Sequence, residues 1–163
     1  MIVFVDCEFT GLGQQWPRLI SLGLVSENGL EFYAELPPDT YADKVENWTR
    51  QNVLPLLDCG NCIMQPEVLS QHLTEWFEQF DKVQIGTDFG IDMDFLRELL
   101  IPWPANIDPV PLYLASSNFK EATERAYRSD PSLRPHHALE DARALCFGWK
   151  MVNMKFDAEL PDN

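Results

Sequence analysis

The sequence predicts an α/β domain built on a mixed sheet. Three short apolar segments near the start carry a hairpin signal between the second and third, and later strand-like segments alternate with helix-period ones. The length, 163 residues, suits one hydrophobic core, and no repeat, low-complexity tract or linker divides it. Residues 1–163 are therefore read as a single domain.

The first strand is read over residues 2–7, where Ile2, Val3, Phe4 and Val5 supply the apolar run. Residues 19–25 and 30–36 read as two further strands. Glu27, Asn28 and Gly29 between them give the turn, because glycine takes the positive φ that a tight hairpin demands. Tyr41 to Val53 is polar and compatible with a helix. Pro66 fits the first turn of the next helix, along which Leu69, Leu73, Trp76 and Phe80 recur at helical spacing. Residues 82–87 read as a strand and 91–100 as a helix closed by Pro102. A strand over 110–115, a helix over 118–128 and a long final helix over 138–154 complete the order.

Hydrophobic residues make up 45% of the chain and aromatics 12%, enough for a globular core. No stretch approaches the ~20 apolar residues of a membrane helix, and Asp6 interrupts the first apolar run with no basic segment before it. The expectation is a cytoplasmic protein with no membrane partner. Cys59 and Cys62 form a lone CxxC in a proline-containing loop, short of the four ligands of a structural zinc site. They read as ordinary reduced cysteines, with metal and redox uses left open. The formal charge is −14, from 12 basic and 26 acidic residues, which argues against tight binding of long duplexes. It leaves room for an enzyme that grips a few terminal nucleotides with the help of bound cations. Lys120, Arg125, Arg128, Arg134, Arg143 and Lys150 lie late in the chain, as solvated helix faces or as a phosphate-binding patch.

Three groups of residues carry chemistry. Asp6 and Glu8, two apart at the end of a strand, leave the same face of the sheet, where their charges repel unless a cation sits between them. A strand end emerging into solvent explains the pair equally well. Asp88, Asp92 and Asp94 cluster where a strand gives way to a helix, a place where acids also serve as caps. His136 precedes the last helix, and Asp141 stands five residues on, inside its first turns.

Taken in order, these residues resemble the three motifs of the DEDDh 3′→5′ exonuclease family. Asp6-x-Glu8 followed by Thr10, Gly11 and Leu12 is similar to the first motif. Gly86 to Leu96 is similar to the second, with Asp92 before Phe95 and Leu96; Thr87 and Asp88 replace its usual His-Asn pair. His136, Ala138, Leu139, Asp141 and Ala142 match the third, HxALxDA. Phe9, the segment from Leu19 to Gly23 and the segment from Arg50 to Leu56 resemble the bacterial exoribonuclease AS-like subgroup, related to oligoribonuclease and ribonuclease T. Ser21 stands where many members carry Glu.

The resemblance implies a ribonuclease H-like fold, a mixed sheet with flanking helices. It implies that Asp6, Glu8, Asp92 and Asp141 hold two Mg²⁺ or Mn²⁺ ions, with Asp6 shared between them. His136 would take a proton from the attacking water, as a general base. Phe9, Thr10, Gly11 and Leu12 would line the site of the last nucleotide, and Phe9, Trp16, Phe89 and Trp103 are candidate stacking surfaces. The expected partner is the 3′ end of single-stranded RNA, with short oligonucleotides or single-stranded DNA as alternatives, and a homodimer is an open arrangement. The rival readings are a DNA proofreading-type exonuclease, a non-catalytic nucleic-acid-binding module of the same fold and, more distantly, a CxxC redox protein.

Overall fold

A computed structural model describes the backbone of residues 1–159 and the side chains through Asn153. Strand β1 (Ile2–Phe9) is apolar on both faces and runs through the centre of the sheet. Val3, Val5 and Cys7 point into one core, and Phe4 points into a second on the other side. Alternation along the strand puts Asp6 and Glu8 on the Phe4 face. Strand β2 (Leu19–Ser26), buried along its whole length, pairs antiparallel with β1 and with β3 (Glu31–Glu35). Gly29 makes the β2–β3 turn at φ +88°, as the Asn-Gly signal requires.

The chain next deviates from the single helix expected over 41–53. It makes 3₁₀ turns at Pro38–Thr40 and Ala42–Lys44, and only then helix α1 (Asn47–Asn52). The break falls at Val45 and Glu46, both extended, where the Glu46 N–H donates to Thr10 O at 2.8 Å instead of to a helical carbonyl. A tertiary hydrogen bond outweighs local propensity there.

Helix α2 (Pro66–Glu78) has no side-chain cap, which forgoes ~1 kcal/mol. Leu69, Leu73 and Phe77 are all fully buried, and each contributes roughly 1.5–3 kcal/mol. Packing therefore decides this helix. Strand β4 (Gln84–Thr87), helix α3 (Gly90–Leu99) and strand β5 (Leu112–Tyr113) follow. β5 is two residues long rather than the six expected; Pro109 and Pro111, which carry no N–H for a ladder, come just before it. β1, β4 and β5 are mutually parallel, and the five strands lie in the order β3-β2-β1-β4-β5.

Helices α2 and α3 cover the Val3 face. Helices α4 (Ser117–Ser129) and α5 (Ala138–Glu159) cover the Phe4 face, with Phe119, Ala142, Leu145 and Cys146 in its core. α5 starts directly on β2 because Gly23 has no side chain: a Cβ there would overlap the Ala138 carbonyl and the Leu139 nitrogen. Gly23 pairs with Asp6, so this close approach delivers the first turn of α5 beside the carboxylates of β1. Among the described residues no helix is long and apolar enough to cross a membrane.

A candidate metal centre at the strand ends

Because β1 and β4 are parallel neighbours, their carboxyl ends reach the same edge of the sheet. β1 brings Asp6 and Glu8, the end of β4 leads to Asp88, and the first turn of α3 carries Asp92. The first turn of α5 adds Asp141, and the preceding loop adds His136. Two groups form, with the candidate ligand atoms in each within 4.8 Å of one another: Glu8, His136 and Asp141 in one, Asp6, Asp88 and Asp92 in the other. Both helices present their N-termini here, where partial positive charge favours carboxylates.

The side chains are held in place. Thr87 Oγ1 donates to Asp92 Oδ2 at 2.6 Å, so Thr87 orients a carboxylate. Tyr127, near the end of α4, donates its hydroxyl to Asp141 Oδ1, and the His136 N–H donates to Asp141 Oδ2 at 3.0 Å. Each oxygen of Asp141 thus has its own donor.

The electrostatics of these side chains suit a bound cation. Burial first, then the charges of Asp141, Asp92, Glu8 and Asp88, push Asp6 well above the usual carboxylate range. Burial with Asp141 and Asp92 raises Glu8 to about 8. Burial, opposed by the Thr87 hydroxyl, raises Asp92 to about 7. Burial, opposed by Tyr127 and the His136 N–H, raises Asp141 to about 6. Carboxylates gathered so closely cannot all ionise at neutral pH without compensating charge. Burial raises Asp88, opposed by a backbone hydrogen bond and by the charge of Lys120. Most of the other late basic residues are tied to acids: Arg125 to Glu121, Arg134 to Asp58 and Glu140, Arg143 to Glu31 and Glu140. An all-oxygen donor set with one imidazole suits a hard divalent cation such as Mg²⁺ or Mn²⁺, so the residues present fit that group.

Metal-free protein should therefore lose stability as pH rises. A carboxyl whose folded pKa lies above its unfolded value of about 4 binds more protons folded than unfolded between those values. Its stabilising effect is complete below pH ~4 and is lost as pH rises through its folded pKa, here about 6 for Asp141, 7 for Asp92 and 8 for Glu8. Exposed acids have already ionised by pH 5, so melting in EDTA from pH 5 to 8 reports on the buried cluster, against an opposite contribution from His137, whose pKa burial lowers. The melting temperature should fall over that range, and Mg²⁺ or Mn²⁺ should restore more of it at pH 8 than at pH 5. At ~100 times its dissociation constant, one ion adds about 2.7 kcal/mol. A flat profile, or equal metal shifts at both pH values, would count against direct coordination.

The other anticipated residues divide. Gly11 and Leu12 border a cavity of about 160 Å³ with Glu8, Phe9, Glu46 and Trp48. Thr10 is not on its lining: it is fully buried, donating its hydroxyl to Gln14 Oε1 and accepting from the Arg18 N–H, which closes the loop over 10–18. Phe9 is partly buried and lies parallel to Phe89 at 6.4 Å, while Phe89 and Trp16 are exposed. Trp103 does not serve as a free stacking surface: it packs on the core and its indole N–H donates to Ile107 O. All four cysteines are free thiols, and Cys59 and Cys62 join neither candidate ligand group.

Three residues of the site were missed, and a fourth, Asp88, was noted without a ligand role. Asp88 enters a ligand group although its sequence position suggested an asparagine substitute. Tyr127 had no motif to flag it. Trp48 stands edge-on to His136 at 4.9 Å, and Glu46 fixes the Gly11–Gly13 turn by accepting from the Gly13 N–H. The last two lay in a stretch read only as helix-compatible.

The fold and site together define an α/β domain with two acidic side-chain groups, one of them including a histidine, able to hold divalent metal. No protein-family model and no curated protein matches the chain.

Proposed function

We propose that this chain is a metal-dependent 3′→5′ exonuclease of the DEDDh type acting on single-stranded RNA, with a ribonuclease H-like fold. One observation carries the reading: Asp6, Glu8, Asp92, His136 and Asp141, drawn from three distant stretches in the motif order, converge at one sheet edge. Asp6, Asp88 and Asp92 would hold one ion, and Glu8 with Asp141 the other. Bound divalent ions supply neutralising charge at the phosphate and acidify the attacking water. His136, exposed beside Glu8 and Asp141, takes the proton from that water. The phosphate stays with the released nucleotide as the 3′ oxygen of the shortened chain leaves.

The cavity at Gly11, Leu12 and Trp48 limits what enters. Its volume of about 160 Å³ is below the ~300 Å³ typical of small-molecule pockets, so it accepts the sugar and part of the base of one terminal nucleotide. Leu12 and Trp48 are exposed and offer apolar surface to that base. Gly11, at φ +145°, turns the backbone beside the Glu46 carboxylate without a side chain in the way. The acidic balance of the chain favours contact with a few terminal bases over a long duplex. The 2′-hydroxyl is the group through which such a pocket separates RNA from DNA.

A time course on 5′-labelled RNA and DNA, with Mg²⁺ or Mn²⁺ and with EDTA, tests the proposal. The expected result is an RNA ladder shrinking from the 3′ side, released nucleoside 5′-monophosphates and complete loss of activity in EDTA. Internal cuts at the earliest times, products with 3′-phosphates, or equal attack on blunt duplex would overturn it. Faster cleavage of DNA than RNA would instead favour the proofreading-type deoxyribonuclease.

A further inference from the structure

His136 sits in a conformation that few side chains adopt, and one carboxylate grips the chain on both sides of it. Its φ is +70°, in the left-handed region that residues other than glycine enter only when their surroundings over-determine it. The His136 ring is exposed and meets Trp48 edge-on, so its position depends on the backbone. Two residues before it, Arg134 Nη1 donates to Asp58 Oδ1 at 3.0 Å and to Leu56 O at 3.1 Å. One residue after it, His137 is 1% exposed and packs with Nε2 3.5 Å from Asp58 Oδ2, without forming a hydrogen bond to it.

Asp58 is itself fixed from below. Its N–H donates to Glu35 Oε1 at 2.7 Å, and the Cys59 N–H reaches the same oxygen at 3.1 Å. Glu35 also accepts the Tyr33 hydroxyl at 2.7 Å, and the Tyr33 ring stacks on His137 at 4.6 Å. The circuit Glu35, Asp58, His137, Tyr33 closes on itself. It ties the loop bearing His136 to strand β3 and to the start of the CxxC turn.

We infer that Asp58 is a positioning residue for His136, holding Arg134 by hydrogen bond and packing against His137 so that the intervening backbone keeps His136 beside Glu8 and Asp141. The inference rests on the reading of His136 as the proton acceptor. A merely structural role predicts something different. The Asp58–Arg134 pair is exposed, 41% and 37% by side chain, and such pairs add little to stability. Asp58 should therefore matter to turnover far more than to melting.

The test is a double-mutant cycle on a short 5′-labelled oligoribonucleotide at saturating Mg²⁺. Asp58→Ala should lower kcat ~10-fold, since misplacement by about 1 Å can cost ~100-fold, with KM and melting temperature nearly unchanged. Asp58→Asn, which keeps an oxygen acceptor for Arg134, should lose less, and it carries the test if the alanine variant folds poorly. In a His136→Ala background, adding Asp58→Ala should leave kcat unchanged, because nothing remains to position. An unchanged kcat in Asp58→Ala, or the same loss in both backgrounds, overturns the inference while leaving the nuclease reading intact. Wild-type turnover by His136→Ala would instead overturn the reading of His136 and the inference with it.

Discussion

Replacing Asp6 with asparagine should nearly abolish turnover while leaving the metal-free protein as stable as the natural one, or more so. Asp6 is the residue on which the burden of charge falls: burial and four neighbouring carboxylates all oppose its ionisation. Asparagine fills the same space and removes that repulsion. A gain of ~1 kcal/mol raises the melting temperature of a chain this size by about 2–4 °C, and the gain should be larger at pH 8 than at pH 5. The same substitution removes an anionic ligand from the group with Asp88 and Asp92. Losing even an outer partner of a metal ligand typically costs ~10–100-fold, so losing the ligand itself should cost more. Circular dichroism, EDTA melting and the nuclease assay together decide it. Near-normal cleavage, or a folded variant less stable at pH 8 than the natural protein, would remove Asp6 from the centre. Opposite effects on activity and stability are the mark of a site where charges are gathered for function.

How much of this was legible in the residues follows from what kind of signal each feature leaves. Strands β1 to β3 could be read because their apolar runs and the Asn28-Gly29 turn are local, and α2 because Leu69, Leu73 and Trp76 recur at helical spacing, although Phe77 is the third fully buried residue and Phe80 lies beyond the helix end. The segment over 41–53 could not, because its break depends on Glu46 bonding to Thr10, some 36 residues away in sequence. β5 was over-read because Pro109 and Pro111, just before Leu112, have no N–H to extend its ladder. At the site, the resemblance to the three exonuclease motifs picked out Asp6, Glu8, Asp92, His136 and Asp141 as a set, and the fold brings them into two groups. Tyr127 and Asp58 were invisible for the opposite reason. Tyr127 meets Asp141 only because α4 and α5 pack against each other across a loop. Asp58 meets Arg134 across 76 positions. Contacts of this kind leave no local pattern.

The adjacent histidines should separate cleanly into a chemical and a packing role. His136 is exposed and grouped with Glu8 and Asp141. His137 is 1% exposed and stacked on Tyr33, and burial with the Arg134 charge keeps its imidazole below the ordinary range, hence neutral at pH 7. His136→Ala should lower kcat by ~10²–10⁴-fold, the usual contribution of a positioned general base, with little change in melting. Because φ is +70° at this position, His136→Asn is the better control: asparagine tolerates the left-handed region and cannot act as the base. Metal-induced stabilisation decides between two uses of the His136 ring, since the carboxylates alone should preserve most of it if the ring moves protons. A metal shift lost along with activity would make His136 a ligand instead. His137→Ala should show the reverse balance, losing ~1–3 kcal/mol of stability through the vacated space, with turnover of the folded fraction reduced only ~10-fold by the slackened loop. If His137→Ala proves the more damaging to kcat at equal folded concentration, the general base has been placed one residue out of register.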